Sequence, residues 1–82
     1  MPEDLVTTIQ LARILKLSLA SVNYYTNLGF FKIKSRKGNH RLYDRREVVA
    51  VFETIQRLRR EGYPLRLIQK KLEKGYDIQY RL

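Results

Sequence analysis

The chain has 82 residues and a formal net charge of +9, from 17 lysines and arginines against 8 aspartates and glutamates. This length suits one small domain, and because the chain has no cysteine it can hold neither a disulfide nor a thiolate metal site, which is compatible with a reducing cytoplasm. We expect no signal peptide, because the N-terminal residues are acidic. We expect no membrane span, because no apolar run approaches the roughly 20 residues required. The positive charge is compatible with binding to a nucleic acid, with binding to a membrane surface, or with simple solubility.

The first predicted elements are a very short strand at residues 5–6 and a helix that runs to about residue 15. Thr7 and Gln10 make the T-x-x-Q pattern of a capping box, in which each side chain satisfies a free backbone donor at the helix start. The helical period predicts a set of inward-facing side chains, namely Ile9, Ala12, Leu15 and, at the border, Leu11.

A second helix is predicted over residues 18–28, after a turn of two residues. Ser18 is a good N-cap, and Gly29 supplies the left-handed conformation that ends a helix. Leu19 and Val22 are predicted to pack inward. Two short helices joined by so tight a turn form a helix-turn-helix arrangement.

One face of this second helix carries small and polar residues at the spacing i, i+3, i+4 and i+7, namely Ala20, Asn23, Tyr24 and Asn27. Asn23 could bond an adenine edge or be merely solvated. The Tyr24 phenol could bond a phosphate while its ring packs on a sugar, whereas Tyr25 is predicted to be core. Ser21 fits either a phosphate contact or a small residue without a role.

Residues 32–43 are predicted to form two strands with their turn at Gly38 and Asn39, which both tolerate positive φ. The hairpin gathers five cations, namely Lys32, Lys34, Arg36, Lys37 and Arg41. Like charges repel, and an anionic partner relieves that repulsion. Lysines also protect an edge strand from aggregation, and both roles can hold at once.

Two further helices are predicted over residues 44–61 and 64–74, the first capped by Asp44 and the second begun by Pro64. Glycines at 62 and 75 are expected to end them. Their core faces recur at helical spacing, namely Val48, Val51, Phe52, Ile55 and Leu58, then Leu65, Ile68 and Leu72. Residues 76–82 show no clear period and are predicted to be a tail or the start of a missing linker or dimerisation segment.

Side chains suited to catalysis are scarce. The one histidine, His40, lies beside the turn of the basic hairpin, without the nearby carboxylates that a metal site or a proton relay needs. It fits a structural role or a phosphate contact. The four glycines are isolated, so none belongs to a phosphate-cradling loop. We therefore expect no enzymatic activity, no cofactor and no metal.

An ordered set of residues carries a family resemblance, namely Thr7, Leu11-Ala12-Arg13, Ser18, Val22, Tyr24-Tyr25, Leu28-Gly29, Arg41-Leu42-Tyr43, Arg57-Leu58-Arg59, Glu61-Gly62-Tyr63, Leu65 and Ile68. With this order and spacing the chain resembles, from about residue 6 to 72, the N-terminal DNA-binding domain of MerR-type transcription regulators. The hairpin 38–43 is most similar to the branch with a G-x-H-R pattern, which includes B12-dependent light-responsive repressors and curli-type regulators.

The resemblance implies a mostly α winged helix-turn-helix, with a two-stranded wing and a supporting helix pair. The second helix would enter the major groove and the wing would lie on flanking backbone, with Arg13, Tyr24, Arg41 and Tyr43 as backbone contacts. The usual basic residues of the second helix are replaced here by Ala20 and Asn23, which suggests a readout that is either more apolar or directed at adenine and thymine. Family members typically dimerise through a long C-terminal helix, so we expect a homodimer of the full-length protein and a monomer of this chain.

We therefore predict that residues 1–75 form a cytoplasmic domain that binds double-stranded DNA sequence-specifically and regulates transcription, as a repressor. The candidate DNA-binding residues are Arg13, Ser18, Ala20, Ser21, Asn23, Tyr24, Asn27, Arg36, Lys37, His40, Arg41 and Tyr43. One alternative is an excisionase-like architectural protein that bends DNA. Another is a protein-interaction module of the antirepressor type, which the near absence of large apolar residues on the second helix's outer face argues against.

Overall fold

The computed structural model describes residues 4–73 of the chain. Within this range the elements follow in the order β1 (Leu5–Thr7), α1 (Thr8–Leu15), α2 (Leu19–Asn27), β2 (Ile33–Lys37), β3 (His40–Asp44), α3 (Arg45–Arg60) and α4 (Leu65–Glu73). The helix-turn-helix of α1 and α2, the hairpin of β2 and β3 and the helix pair confirm the predicted mostly α winged helix-turn-helix. The predictions for the helix end at residues 74–75 and for residues 76–82 lie outside the described residues.

The wing is part of a three-stranded antiparallel sheet with the order β1-β3-β2, so the prediction of a two-stranded unit was incomplete. Val6 pairs with Tyr43, which pairs on its other side with Ile33. The register shifts between Ile33 and Ser35, where β2 carries an extra residue that bends the hairpin. Because β1 leads directly into α1, this pairing ties the start of the first helix to the wing.

The predicted N-terminal caps of three helices are all present. Thr7 Oγ1 accepts a hydrogen bond from the Gln10 backbone amide at 3.2 Å, and Gln10 Oε1 accepts from the Thr7 amide at 2.9 Å, completing the capping box. Ser18 Oγ accepts from the Ser21 amide at 3.1 Å at the start of α2. Asp44 caps α3 by accepting from the amides of the second and third helical residues. Each cap satisfies donors that a helix start otherwise leaves open.

Glycines end α2 and α3 as predicted. Gly29 has φ +90 and Gly62 has φ +101, a region in which side chains other than glycine's are strained. The reversal at Gly29 lets the Phe30 amide donate to the carbonyl of Tyr25 at 3.0 Å, so the chain turns sharply into the core.

The core lies between the helices and the inner face of the sheet. Its buried members are Val6, Leu11, Ala12, Val22, Phe30, Phe31, Tyr43, Val48, Val51, Phe52, Ile55, Leu58 and Ile68. The stripe predicted on the third helix is thus confirmed. Tyr25, as predicted, packs against this core, with its ring centroid 5.2 Å from that of Phe31 and 6.0 Å from that of Phe52. The aromatic cluster joins α2 to α3 and fixes the base of the hairpin.

Two residues predicted to face inward are instead exposed, namely Ile9 and Leu19. Leu11, predicted at the border, is fully buried, and with Ala12 and Leu15 it sets the inward side of α1. At about 100° per residue, Ile9 lies roughly 110° from the centre of that side. Leu19 is the first residue of α2 and flanks the side that Val22 buries.

Candidate nucleic-acid interface

The inner side of α2 is anchored by hydrogen bonds to two other elements. Thr26 Oγ1 donates to the Val22 carbonyl at 2.8 Å and lies 3.0 Å from the Tyr43 hydroxyl. Because the Thr26 hydroxyl hydrogen is already committed, Tyr43 is the donor of this second bond. Gln69 Nε2 on α4 donates to the Leu28 carbonyl at 2.7 Å, just beyond the end of α2. The helix is therefore held by β3 and α4 while its other side stays open.

The open side of α2 carries the four residues predicted there, all exposed: Ala20, Asn23, Tyr24 and Asn27. Tyr24 is 53% exposed, and its ring meets the half-buried Tyr25 edge-on at 5.8 Å. No residue of α2 is charged. Within residues 4–73, the side-chain amides of Asn23 and Asn27 have no hydrogen-bond partner. The open side of α2 thus presents uncharged hydrogen-bond donors and acceptors to solvent or to a bound partner.

Tyr43 was expected to contact DNA backbone, and the structure corrects this expectation. Its side chain is fully buried. It lies near the end of the central strand, paired with both Val6 and Ile33, and its hydroxyl reaches Thr26 rather than solvent. The central position of β3 places this side chain in the core, so Tyr43 positions α2 from behind.

The wing sets two arginines opposite each other and a lysine opposite the histidine. Arg36 pairs directly with Arg41 across the hairpin, and Lys37 pairs with His40 beside the turn. Directly opposed residues have their Cβ atoms about 4.5–5.5 Å apart, where like charges destabilise the pair. Arg36, Lys37 and His40 are exposed, while Arg41 is half-buried. Among residues 4–73 no carboxylate forms an ion pair with Arg36, Lys37 or Arg41. An anion on this surface would relieve the repulsion.

An open cleft of about 530 Å³ lies where the start of α1, the open side of α2 and the wing tip meet. Its lining residues are Thr7, Thr8, Ile9, Leu19, Asn23, Asn27, Asn39, His40 and Arg41. Four predicted site residues from helix and wing therefore share one concave surface. Sequence reasoning missed the contributions of Thr7, Thr8, Ile9, Leu19 and Asn39. The pairing of β1 with β3 brings Thr7, Thr8 and Ile9 to the wing, and a three-residue strand gives little sequence signal for its partner.

The remaining predicted site residues lie outside the cleft lining. Arg13 is exposed on α1, in its last turn. The Ser18 hydroxyl donates to Ser21 Oγ at 3.0 Å while capping α2. These two serines have a structural role at the helix start, although Ser18 is exposed and Ser21 is half-buried.

Two other features were sought in the described part of the chain, a metal site and a membrane-spanning helix. Between residues 4 and 73, no three acidic or histidine side chains converge as metal ligands would. None of the helices described there has both the length and the apolar character to cross a membrane.

Comparison with known proteins places the chain in a family. Its residues 6–75, most of the chain, match the family model described as MerR HTH family regulatory protein. Searches among curated proteins and among solved structures found no match. The match spans both helices of the helix-turn-helix, the wing and the supporting helix pair. The chain therefore belongs to the MerR helix-turn-helix family, whose members bind DNA sequence-specifically and regulate transcription.

Proposed function

We propose that this domain binds operator DNA with α2 in the major groove and the β2–β3 wing on the adjacent phosphate backbone. One observation carries the proposal: an exposed, uncharged face of α2 occurs together with a wing in which Arg36 and Arg41 oppose each other. Neutral amides suit base edges, and clustered cations suit phosphates. The cleft supplies a concave surface between the two parts.

The two parts have different roles in this proposal. Phosphate contacts fix the position of the protein on DNA and carry no sequence information, whereas contacts to base edges select the sequence. We assign the first role to Arg13, Tyr24, Arg36, Lys37, His40 and Arg41. We assign the second to Ala20, Asn23 and Asn27, because they are exposed, uncharged and on the open side of α2.

The first test is titration of the domain against a random duplex pool at several salt concentrations, with sequencing of the bound fraction. We expect a recovered motif and a steep decrease in affinity with salt, because each neutralised phosphate contributes about 0.9 to the logarithmic slope. An inverted repeat would support binding as a homodimer. Salt-dependent binding without a motif would favour the excisionase-like architectural role, and no binding at low salt would refute the proposal.

A matched pair of variants then tests the role of the wing. Lys37→Ala removes an exposed cation of the wing. Lys70→Ala removes an exposed cation of α4, a helix that the proposal does not place on DNA. Lys37→Ala should weaken binding to all sequences alike and reduce the salt slope by about 1. Lys70→Ala should leave the slope unchanged. Equal losses in both variants would show that overall charge, rather than the wing, governs binding.

A second candidate function uses the same surface for a protein partner. The sequence argued against it because the outer face of α2 lacked large apolar residues, and the structure corrects that premise. Ile9, Leu19 and Tyr24 are all exposed, and the first two line the cleft. Exposed apolar groups that lie together favour a protein contact. A partner bound with little salt dependence, and lost in Leu19→Ala, would favour this function over DNA binding.

A further inference from the structure

The open side of α2 lacks the groups that most often select guanine. The commonest specific contact to guanine is a bidentate bond from arginine or lysine to O6 and N7. Helix α2, Leu19–Asn27, contains neither residue, and the cation that lines the cleft, Arg41, lies on the wing. A recognition helix with this face is suited to adenine and thymine. Adenine offers N6 and N7 to a side-chain amide, and thymine offers its C5 methyl group to an apolar side chain.

Leu19 is placed to meet a thymine methyl group. It is the first residue of α2, and in helix-turn-helix proteins the N-terminal residues of the recognition helix contact base edges. Its side chain is 47% exposed and lines the cleft beside Ile9. Covering this apolar surface with a methyl group would remove both from water, which is favourable.

Asn23 lies one turn further along the same side of the helix. Its amide is exposed, has no partner within residues 4–73, and can match N6 and N7 of adenine. Four residues of helix rise by about 6 Å, so its target should lie roughly two base pairs from that of Leu19.

We propose that Leu19 and Asn23 are specificity-determining residues that select a thymine methyl group and an adenine edge, so that the operator carries A·T pairs at two positions about two base pairs apart. This inference rests on the proposed function, since it requires α2 in the major groove. It adds the two base groups that α2 selects and a role for Leu19, a residue outside the set predicted from the sequence.

The test uses the duplex recovered from the random pool, remade with single thymines replaced by deoxyuridine, which removes the C5 methyl group alone. At one position we expect wild-type affinity to fall about fourfold, the value of one buried methyl group. Leu19→Ala should bind the thymine and deoxyuridine duplexes equally. Leu67→Ala, which truncates an exposed leucine of α4, should keep the full penalty and serves as the matched control.

Adenine recognition is tested in the same way with 7-deazaadenine, which lacks the N7 acceptor. The wild-type domain should bind more weakly when 7-deazaadenine replaces adenine at one position, about two base pairs from the thymine. Asn23→Ala should bind the adenine and 7-deazaadenine duplexes equally, and its preference for adenine over the other bases at that position should be roughly 5- to 150-fold smaller. A motif without A·T pairs at such a spacing, or wild-type affinity unchanged by every deoxyuridine and 7-deazaadenine replacement, would overturn this inference and leave DNA binding intact. Failure to bind any duplex at low salt would instead overturn the proposed function itself.

Discussion

Tyr43→Phe separates a positioning role for this tyrosine from a DNA contact. The substitution keeps the buried ring and removes only the hydroxyl, which donates to Thr26 Oγ1 across 3.0 Å. A neutral hydrogen bond of this kind contributes about 0.5–1.5 kcal/mol to stability. In a domain of this size, 1 kcal/mol corresponds to a change in Tm of roughly 4–8 °C. DNA affinity and its salt dependence should stay unchanged at temperatures where the domain is folded.

The partner variant completes a double-mutant cycle. Thr26→Val leaves the Tyr43 hydroxyl buried without its acceptor, which should cost about 1–3 kcal/mol, more than Tyr43→Phe alone. In the double variant no polar group is left behind, so the two losses should not add. Urea unfolding followed by far-UV circular dichroism measures all four proteins, since the chain has no tryptophan.

The opposite pattern would refute this reasoning. If Tyr43→Phe weakened DNA binding at every salt concentration while leaving the free energy of unfolding unchanged, its hydroxyl would act at the interface. Strict additivity in the cycle would show that the hydrogen bond between Thr26 and Tyr43 is not formed in solution.

Two further predictions test the packing of the helices. Leu11→Ala should lower the free energy of unfolding by about 2–5 kcal/mol, because Leu11 is fully buried. Ile9→Ala should change it by less than about 0.5 kcal/mol, because Ile9 is 52% exposed. Equal losses in urea unfolding would show that the inward side of α1 is misassigned. Gln69→Leu should lower the free energy of unfolding by about 1 kcal/mol, because it removes the donor to the Leu28 carbonyl. Gln56→Leu, at an exposed position of α3, is the control. A loss of stability no larger than the control's would contradict a stabilising role for the hydrogen bond between Gln69 and Leu28.

Local features of the fold could be predicted because their causes lie within a few residues. The Thr7–Gln10 capping box and the Ser18 and Asp44 caps each depend on one side chain meeting a nearby backbone group. The glycines that end α2 and α3 depend on the local freedom of one residue to adopt positive φ. The core stripe of α3 follows in the same way from helical spacing alone.

Features that depend on distant pairing could not be predicted in the same way. The three residues of β1 pair with β3, about 37 positions away, and no local pattern names that partner. This pairing makes β3 the central strand, buries Tyr43 and brings the start of α1 to the wing tip. The cleft, and the place of Ile9 in it, follow from this one tertiary contact.

The candidate site was predictable in part for the same reason. The exposure of Ala20, Asn23, Tyr24 and Asn27 follows from the period of a single helix. Leu19 was assigned to the core because it is large and apolar, yet it is the first residue of α2 and lies at the flank of the buried side. A hydrophobic residue at a helix start therefore needs the tertiary structure before its role can be assigned.

The most direct test of the central claim is an NMR titration of the isotope-labelled domain with the selected duplex, following every backbone amide. The largest shift changes should fall on α2 and on the β2–β3 wing, with α4 little affected, if the helix enters the groove and the wing lies on backbone. Changes confined to α3 and α4, with the amides of Leu19–Asn27 unmoved, would contradict the account.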